Sequence, residues 1–140
     1  MFREWLKRVW PSKKTGSSLI KILVIEDSPV DAAMVKKAVD VCGFSSLVAC
    51  DGKTGIEMAR THKPDLVILD YNLPDINGGK VLHELRALKE TSSETVVVLT
   101  VLKSSDVIYD SFMSGADQYF TKPISVSLLA KQIKKMLPRP

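Results

Sequence analysis

The chain has 140 residues, 45% hydrophobic and 26% charged, with a formal charge of +4. That length suits one domain burying roughly two thirds of the surface its unfolded chain exposes. With no apolar run near the ~20 residues of a bilayer span and no secretory leader at the N-terminus, a soluble cytoplasmic protein is expected.

The surplus charge is local. Residues 1–18 set Arg3, Lys7, Arg8, Lys13 and Lys14 against Glu4, leaving fifteen basic and fifteen acidic residues in 19–140. A charge-neutral body has no global attraction for a phosphate backbone. Cys42 and Cys50 have no metal-site spacing and cannot form a disulfide framework, so they are expected as buried or half-buried thiols.

Residues 2–10 put Phe2, Trp5, Leu6, Val9 and Trp10 at helical spacing, with basic residues between them. Pro11 ends that pattern, and the polar, breaker-rich stretch to Ser18 reads as a connector. The expected organisation is a basic amphipathic extension, 1–18, and a folded domain, 19–140. About nine residues make a marginal isolated helix in water. The extension is therefore expected to order on contact with a membrane surface, a partner protein or its own domain, the alternative being an unstructured tail.

Beyond it, strand and helix patterns alternate five times. Residues 20–25 form the first apolar run, and a helix opening near Pro29 repeats Val30, Met34, Ala38 and Val41 before Gly43. A second strand spans Phe44 to Cys50, followed by a helix from Gly52–Thr54 that carries Ile56 and Ala59. The third strand, 66–69, leads to a helix after Asn77-Gly78-Gly79 with Val81, Leu85 and Leu88 on one face. The fourth strand, 96–99, leads to a helix from about Ser104, with Ile108 and Phe112 expected inward. Tyr119 and Phe120 form the last strand, and Leu129, Ile133, Met136 and Leu137 mark a helix ending at Pro138. Near-unbroken Ile, Val and Leu in strands one, three and four fits strands covered on both faces. The fold class expected is α/β, a doubly wound (βα)5 parallel five-stranded sheet with a short N-terminal extension.

Each apolar strand ends in a functional group: Glu26 and Asp27, Asp70 with Asn72, Thr100, and Lys122 before Pro123. Open parallel sheets bind ligands outside the carboxyl ends of their strands, so these groups should converge there. Asp70, ending a fully buried strand, is costly unless paired or metal-bound. With Glu26 and Asp27 it forms a cluster that needs a cation, and Mg²⁺ suits carboxylates plus water and phosphate oxygens. Lys122 can balance anionic charge, Thr100 offers a hydroxyl, and Asp70 can serve as a nucleophile forming an acyl phosphate. Taken singly, each has an ordinary reading as a turn, cap or loop residue; the argument lies in their conjunction. His62 and His83 stand alone in helical patterns and read as solvated or helix-end histidines.

With these motifs in place, residues 20–137 resemble a response-regulator receiver domain of two-component signalling, of the single-domain, chemotaxis-regulator-like kind. The resemblance implies a flavodoxin-like strand order 2-1-3-4-5 and makes Asp70 the phosphoacceptor. It makes Glu26 and Asp27 the acidic pair, and Asn72 the residue whose backbone carbonyl ligates Mg²⁺. Leu73-Pro74-Asp75-Ile76-Asn77-Gly78 matches the proline-to-glycine loop, Thr100 the hydroxyl switch, Tyr119 the rotating aromatic, and Lys122-Pro123 the lysine with its cis peptide bond. Implied partners are a sensor histidine kinase or histidine phosphotransfer protein as donor, and a downstream protein reading helix four, strand five and helix five.

Glu at position 26 departs from the usual Asp, leaving Asp27 as the direct ligand and Glu26 reaching through water. Val101 stands where the family has a smaller residue. With no further domain after Pro140, partner docking or phosphate relay is expected rather than direct DNA binding. One competing reading is a receiver-shaped binding module that is never phosphorylated. Another is an aspartate-nucleophile phosphatase of the haloacid-dehalogenase type. Asn72 opposes the second, because that family places an Asp two residues after its nucleophile.

Overall fold

In a computed structural model, residues 20–137 are described; the proposed extension 1–18 lies outside them, as do residues 19 and 138–140. Five strands alternate with five helices: β1 (Lys21–Ile25), α1 (Pro29–Val41), β2 (Ser45–Ala49), α2 (Gly52–His62), β3 (Leu66–Leu69), α3 (Gly78–Ala87), β4 (Thr95–Thr100), α4 (Ser105–Met113), β5 (Gln118–Thr121) and α5 (Val126–Met136). All strand pairs are parallel, in the order β2-β1-β3-β4-β5. The expected doubly wound α/β sheet is the fold observed.

The strands' two-residue side-chain period divides the core into two layers. Ile22, Val24, Leu66, Ile68, Val97 and Leu99 pack with Val35 and Ala38 of α1 and Leu129 and Ile133 of α5. On the opposite face Leu23, Ile25, Val67, Leu69, Val96 and Val98 meet Ala59 of α2 and Val81, Leu82 and Leu85 of α3. Full burial stabilises each such side chain by about 1.5–3 kcal/mol, so the three central strands carry much of the fold.

Each of the five helices among the described residues begins on a side-chain cap: Ser28, Asp51, Asn77, Ser104 and Ser125 each accept a hydrogen bond from a first-turn N–H. These caps satisfy amides the helix leaves without partners. Gly43, at φ +78°, supplies the left-handed turn after α1.

Four apolar positions differ from expectation. Val30 and Val41 of α1 are 78% and 57% exposed, because the helix turns Ala32, Val35, Ala38 and Val39 to the sheet instead. The buried stripe thus runs through two alanines and two other valines at helical spacing and leaves Val30 and Val41 on the outer face. Phe112 is exposed on α4, the inward polar side chain of that helix being Ser111, whose hydroxyl bonds the Val107 carbonyl at 2.8 Å. Cys50 is exposed, whereas Cys42 is buried with its thiol 3.3 Å from the Ala130 carbonyl.

Candidate functional site

The hydrogen-bond ladders continue one residue past the strands, and those residues carry the site. Glu26 N–H donates to the Ala49 carbonyl at 3.0 Å, Asp70 N–H to that of Ile25 at 3.0 Å, and Lys122 N–H to that of Thr100 at 2.9 Å. Strand pairing therefore fixes the backbone of three functional residues before any side chain acts. Thr100, the last residue of β4, is fully buried.

At this rim the ammonium of Lys122 meets three carboxylates: Glu26 Oε1 at 2.6 Å, Asp31 Oδ2 at 2.9 Å and Asp70 Oδ2 at 3.0 Å. Glu26 Oε2 also accepts from Ser28 N–H, and Asp70 Oδ1 from Asn72 N–H at 3.0 Å. Burial pulls the Lys122 ammonium down, but its bonds to Glu26, Asp31 and Asp70 outweigh this and hold it above the ordinary lysine value. Burial, aided by the charge of Asp70, raises Glu26 above the ordinary carboxylate range against the opposing bonds from Lys122 and Ser28.

Oxygens of Glu26, Asp27 and Asp70 lie within 4.8 Å of one another, with Asp27 open to solvent and the other two buried. Three carboxylates thus hold one ammonium, and the fourth, Asp27, adjoins two of them. The donors are all hard oxygens, the set a hard divalent cation takes, and the exposed side at Asp27 leaves room for the waters Mg²⁺ retains. The residues present fit such an ion.

The structure places Glu26, Asp27, Asp70, Asn72 and Lys122 together at this rim, whereas the side chains of Thr100 and Tyr119 bond the neighbouring Leu102. Thr100 Oγ1 accepts weakly from Leu102 N–H at 3.4 Å, and the half-buried Tyr119 donates its hydroxyl to the Leu102 carbonyl at 2.6 Å. Both switch candidates therefore hold one loop, between β4 and α4. Burial and the charge of Asp70 raise the Tyr119 phenol. The Lys122–Pro123 peptide is cis.

Two residues went unread in the sequence. Asp31 projects from the first turn of α1 onto Lys122; an acid three residues past a Ser cap, in the helix following the acidic pair, was the available signal. Tyr71, directly after Asp70, donates its hydroxyl to Asp110 Oδ2 of α4 at 2.5 Å. Burial and that carboxylate push its phenol up to about 12. Asp75 in the following loop accepts from the N–H groups of Gly52 and Lys53, and these bonds overcome desolvation to hold its carboxyl below the ordinary value.

Residues 22–134 match the model of the response regulator receiver domain. The chain belongs to this family. It is 36% identical over 127 residues to the probable transcriptional regulatory protein TcrX of Mycobacterium tuberculosis, covering 91% of this chain and 53% of that protein. It is 31% identical to protein PilH of Pseudomonas aeruginosa, covering 85% and 98%. The chain thus spans about half the length of the transcriptional regulator and nearly all of PilH. The chemotaxis protein CheY4 of Vibrio cholerae superposes with a TM-score of 0.80 at 24% identity, over 85% of this chain and 99% of that one, a likeness of fold. Receiver domains are signalling regulators rather than enzymes of turnover; they work with histidine kinases and downstream effectors and typically bind Mg²⁺ at an acidic site. No helix among the described residues is long and apolar enough to cross a membrane.

Proposed function

We propose that Asp70 accepts a phosphoryl group from a phospho-histidine donor and that the resulting acyl phosphate switches the α4, β5 and α5 face. The observation carrying this reading is the two-sided hold on Asp70: Lys122 on one carboxylate oxygen and Asn72 N–H on the other, beside an acidic cluster of the right size for one cation. An oxygen of Asp70 attacks phosphorus, the bond to the donor's leaving group breaks, and that group departs with the bonding electrons. Lys122 then offsets charge on the equatorial phosphoryl oxygens, which is most of what such a transfer requires. Glu26, Asp27, Asp70 and the Asn72 carbonyl would hold Mg²⁺, which supplies further charge neutralisation when bound.

The geometry around Leu102 supports a transmission role for Thr100 and Tyr119. If Thr100 turns toward the phosphoryl group it releases Leu102 N–H, in the loop that Tyr119 also grips. The Tyr119 ring lies 6.4 Å from that of Phe112, beside the exposed Tyr109 and Met113 of α4. A modification can shift this arrangement only through contacts that differ between its two states.

Incubation with acetyl phosphate and Mg²⁺, read by intact-protein mass, tests the reading. Wild type is expected to gain one phosphoryl group with release of acetate, and Asp70→Asn none. No gain in wild type would favour the receiver-shaped binding module. Val101, 56% exposed after Thr100, is proposed to narrow access to Asp70. Val101→Ala is therefore expected to lose its phosphoryl group faster than wild type; equal decay rates would remove that role.

A further inference from the structure

The Lys122 ammonium has three protons and three carboxylate partners, Glu26, Asp31 and Asp70, so it has no donor left over. On the reading that Asp70 is phosphorylated, a bond from Lys122 to an entering phosphoryl oxygen must replace one of these three. Their surroundings decide which. The Glu26 side chain is 4% exposed, and releasing it would strand a buried carboxylate. Asp70 is 9% exposed and is the reacting group itself. The Asp31 side chain is 38% exposed, so water can take over its hydrogen bonding.

We propose that Asp31 is a displaceable counter-ion of Lys122, holding the ammonium proton that the phosphoryl oxygen must take and thereby slowing phosphorylation of Asp70. It is a positioning residue, acting through Lys122. Its place in the fold allows the release, because the cap of α1 is made by Ser28 Oγ and the backbone N–H of Asp31, neither of which depends on the carboxylate. Its remaining charge lies in the first turn of a helix, where an anion is favoured. The role is separate from cation binding, since the acidic cluster comprises Glu26, Asp27 and Asp70 without Asp31.

The test compares acetyl phosphate reactivity of the full chain, Asp31→Asn and Asp31→Glu, each at Mg²⁺ well above its half-saturation. With Asp31 open to water on its side, its hold on Lys122 is taken at the upper value for a surface pair, about 1 kcal/mol, so Asp31→Asn is expected to be phosphorylated about three- to fivefold faster. The gain should appear in the maximal rate rather than in half-saturation by the donor, shrink as salt is raised, and be reversed in Asp31→Glu. A merely structural role would not produce the salt dependence or the reversal. If wild type is phosphorylated and Asp31→Asn is equal or slower, the inference falls while the phosphoacceptor reading stands. If neither protein gains mass, both fall together. A gain confined to Asp31→Asn supports the inference in its strongest form.

Discussion

Replacing Lys122 by Met is expected to cost about 3 kcal/mol of folding stability at neutral pH, as removal of one partner from a buried ion pair does, and to abolish phosphoryl acceptance. Lys122 is 7% exposed, and without it Glu26 and Asp70 would be left buried beside Asp27 and Asp31 with no cation among the described residues to offset them. The loss should depend on pH. Burial already raises Glu26 above its ordinary value of 4.5, and losing Lys122 removes a bond that lowers it, so the carboxyl rises further. A carboxyl raised in the folded state binds its proton more tightly there. Its stabilisation is complete below the unfolded value and is lost as pH rises through the folded one.

The variant's deficit should therefore be small near pH 4.5 and grow toward neutrality. In wild type the raised Lys122 keeps its contribution across that whole interval and loses it only in alkali above the ordinary lysine value of 10.5. Denaturant unfolding of both proteins with a chelator present measures the difference. Equal stability at pH 7 would show that the ammonium contributes nothing to the fold. Added Mg²⁺ should recover part of the loss, since a ligand that binds the native state stabilises it by mass action.

Gly78→Ala should cost about 2 kcal/mol and slow phosphorylation of Asp70, through crowding in a packed site. A Cβ at Gly78 would lie 2.5 Å from Tyr71 Cα, a backbone atom with no freedom to swing aside. The same glycine closes the loop by donating its N–H to the Tyr71 carbonyl at 2.7 Å. Pushing Tyr71 away shifts its neighbours Asp70 and Asn72, and with them the N–H that holds Asp70 Oδ1. Gly79→Ala is the comparison: its Cβ would meet Asp110 Oδ2, the end of a side chain that can rotate away by giving up its bond from the Tyr71 hydroxyl, with no backbone atom in the way. Thermal unfolding and acetyl phosphate kinetics separate the two, and equal behaviour would refute the importance of the Gly78–Tyr71 approach.

Strand sequence made most of the molecule readable. Three Ile, Val and Leu runs and the shorter Tyr119-Phe120 were each followed by functional groups, and parallel pairing then put Glu26, Asp70, Thr100 and Lys122 at one rim. Helix orientation was less legible. In α1 Val30, Met34, Ala38 and Val41 suggested the buried stripe, but Ala32, Val35, Ala38 and Val39 meet helical spacing equally well and are the set that is buried, a choice that spacing alone does not make. Phe112 likewise met the helical spacing yet faces solvent. Asp31 escaped notice because an acid in a first helical turn already has a sufficient local explanation, its favourable position at the helix N-terminus. Its contact with Lys122 spans 91 residues of sequence and exists only once β5 and α1 share the rim. Cys50 lies one residue past an edge strand, where the sheet has one neighbour fewer to cover it.

The phenol–carboxylate strut between Tyr71 and Asp110 has a consequence of its own. It ties Tyr71, the residue next to Asp70, to α4 by a path that bypasses Thr100, so the rim and that helix are joined twice. Energetic communication between two places in a molecule runs equally in both directions. Whatever grips α4 and favours one arrangement of the strut must alter the affinity of the rim for its own ligands by the same factor.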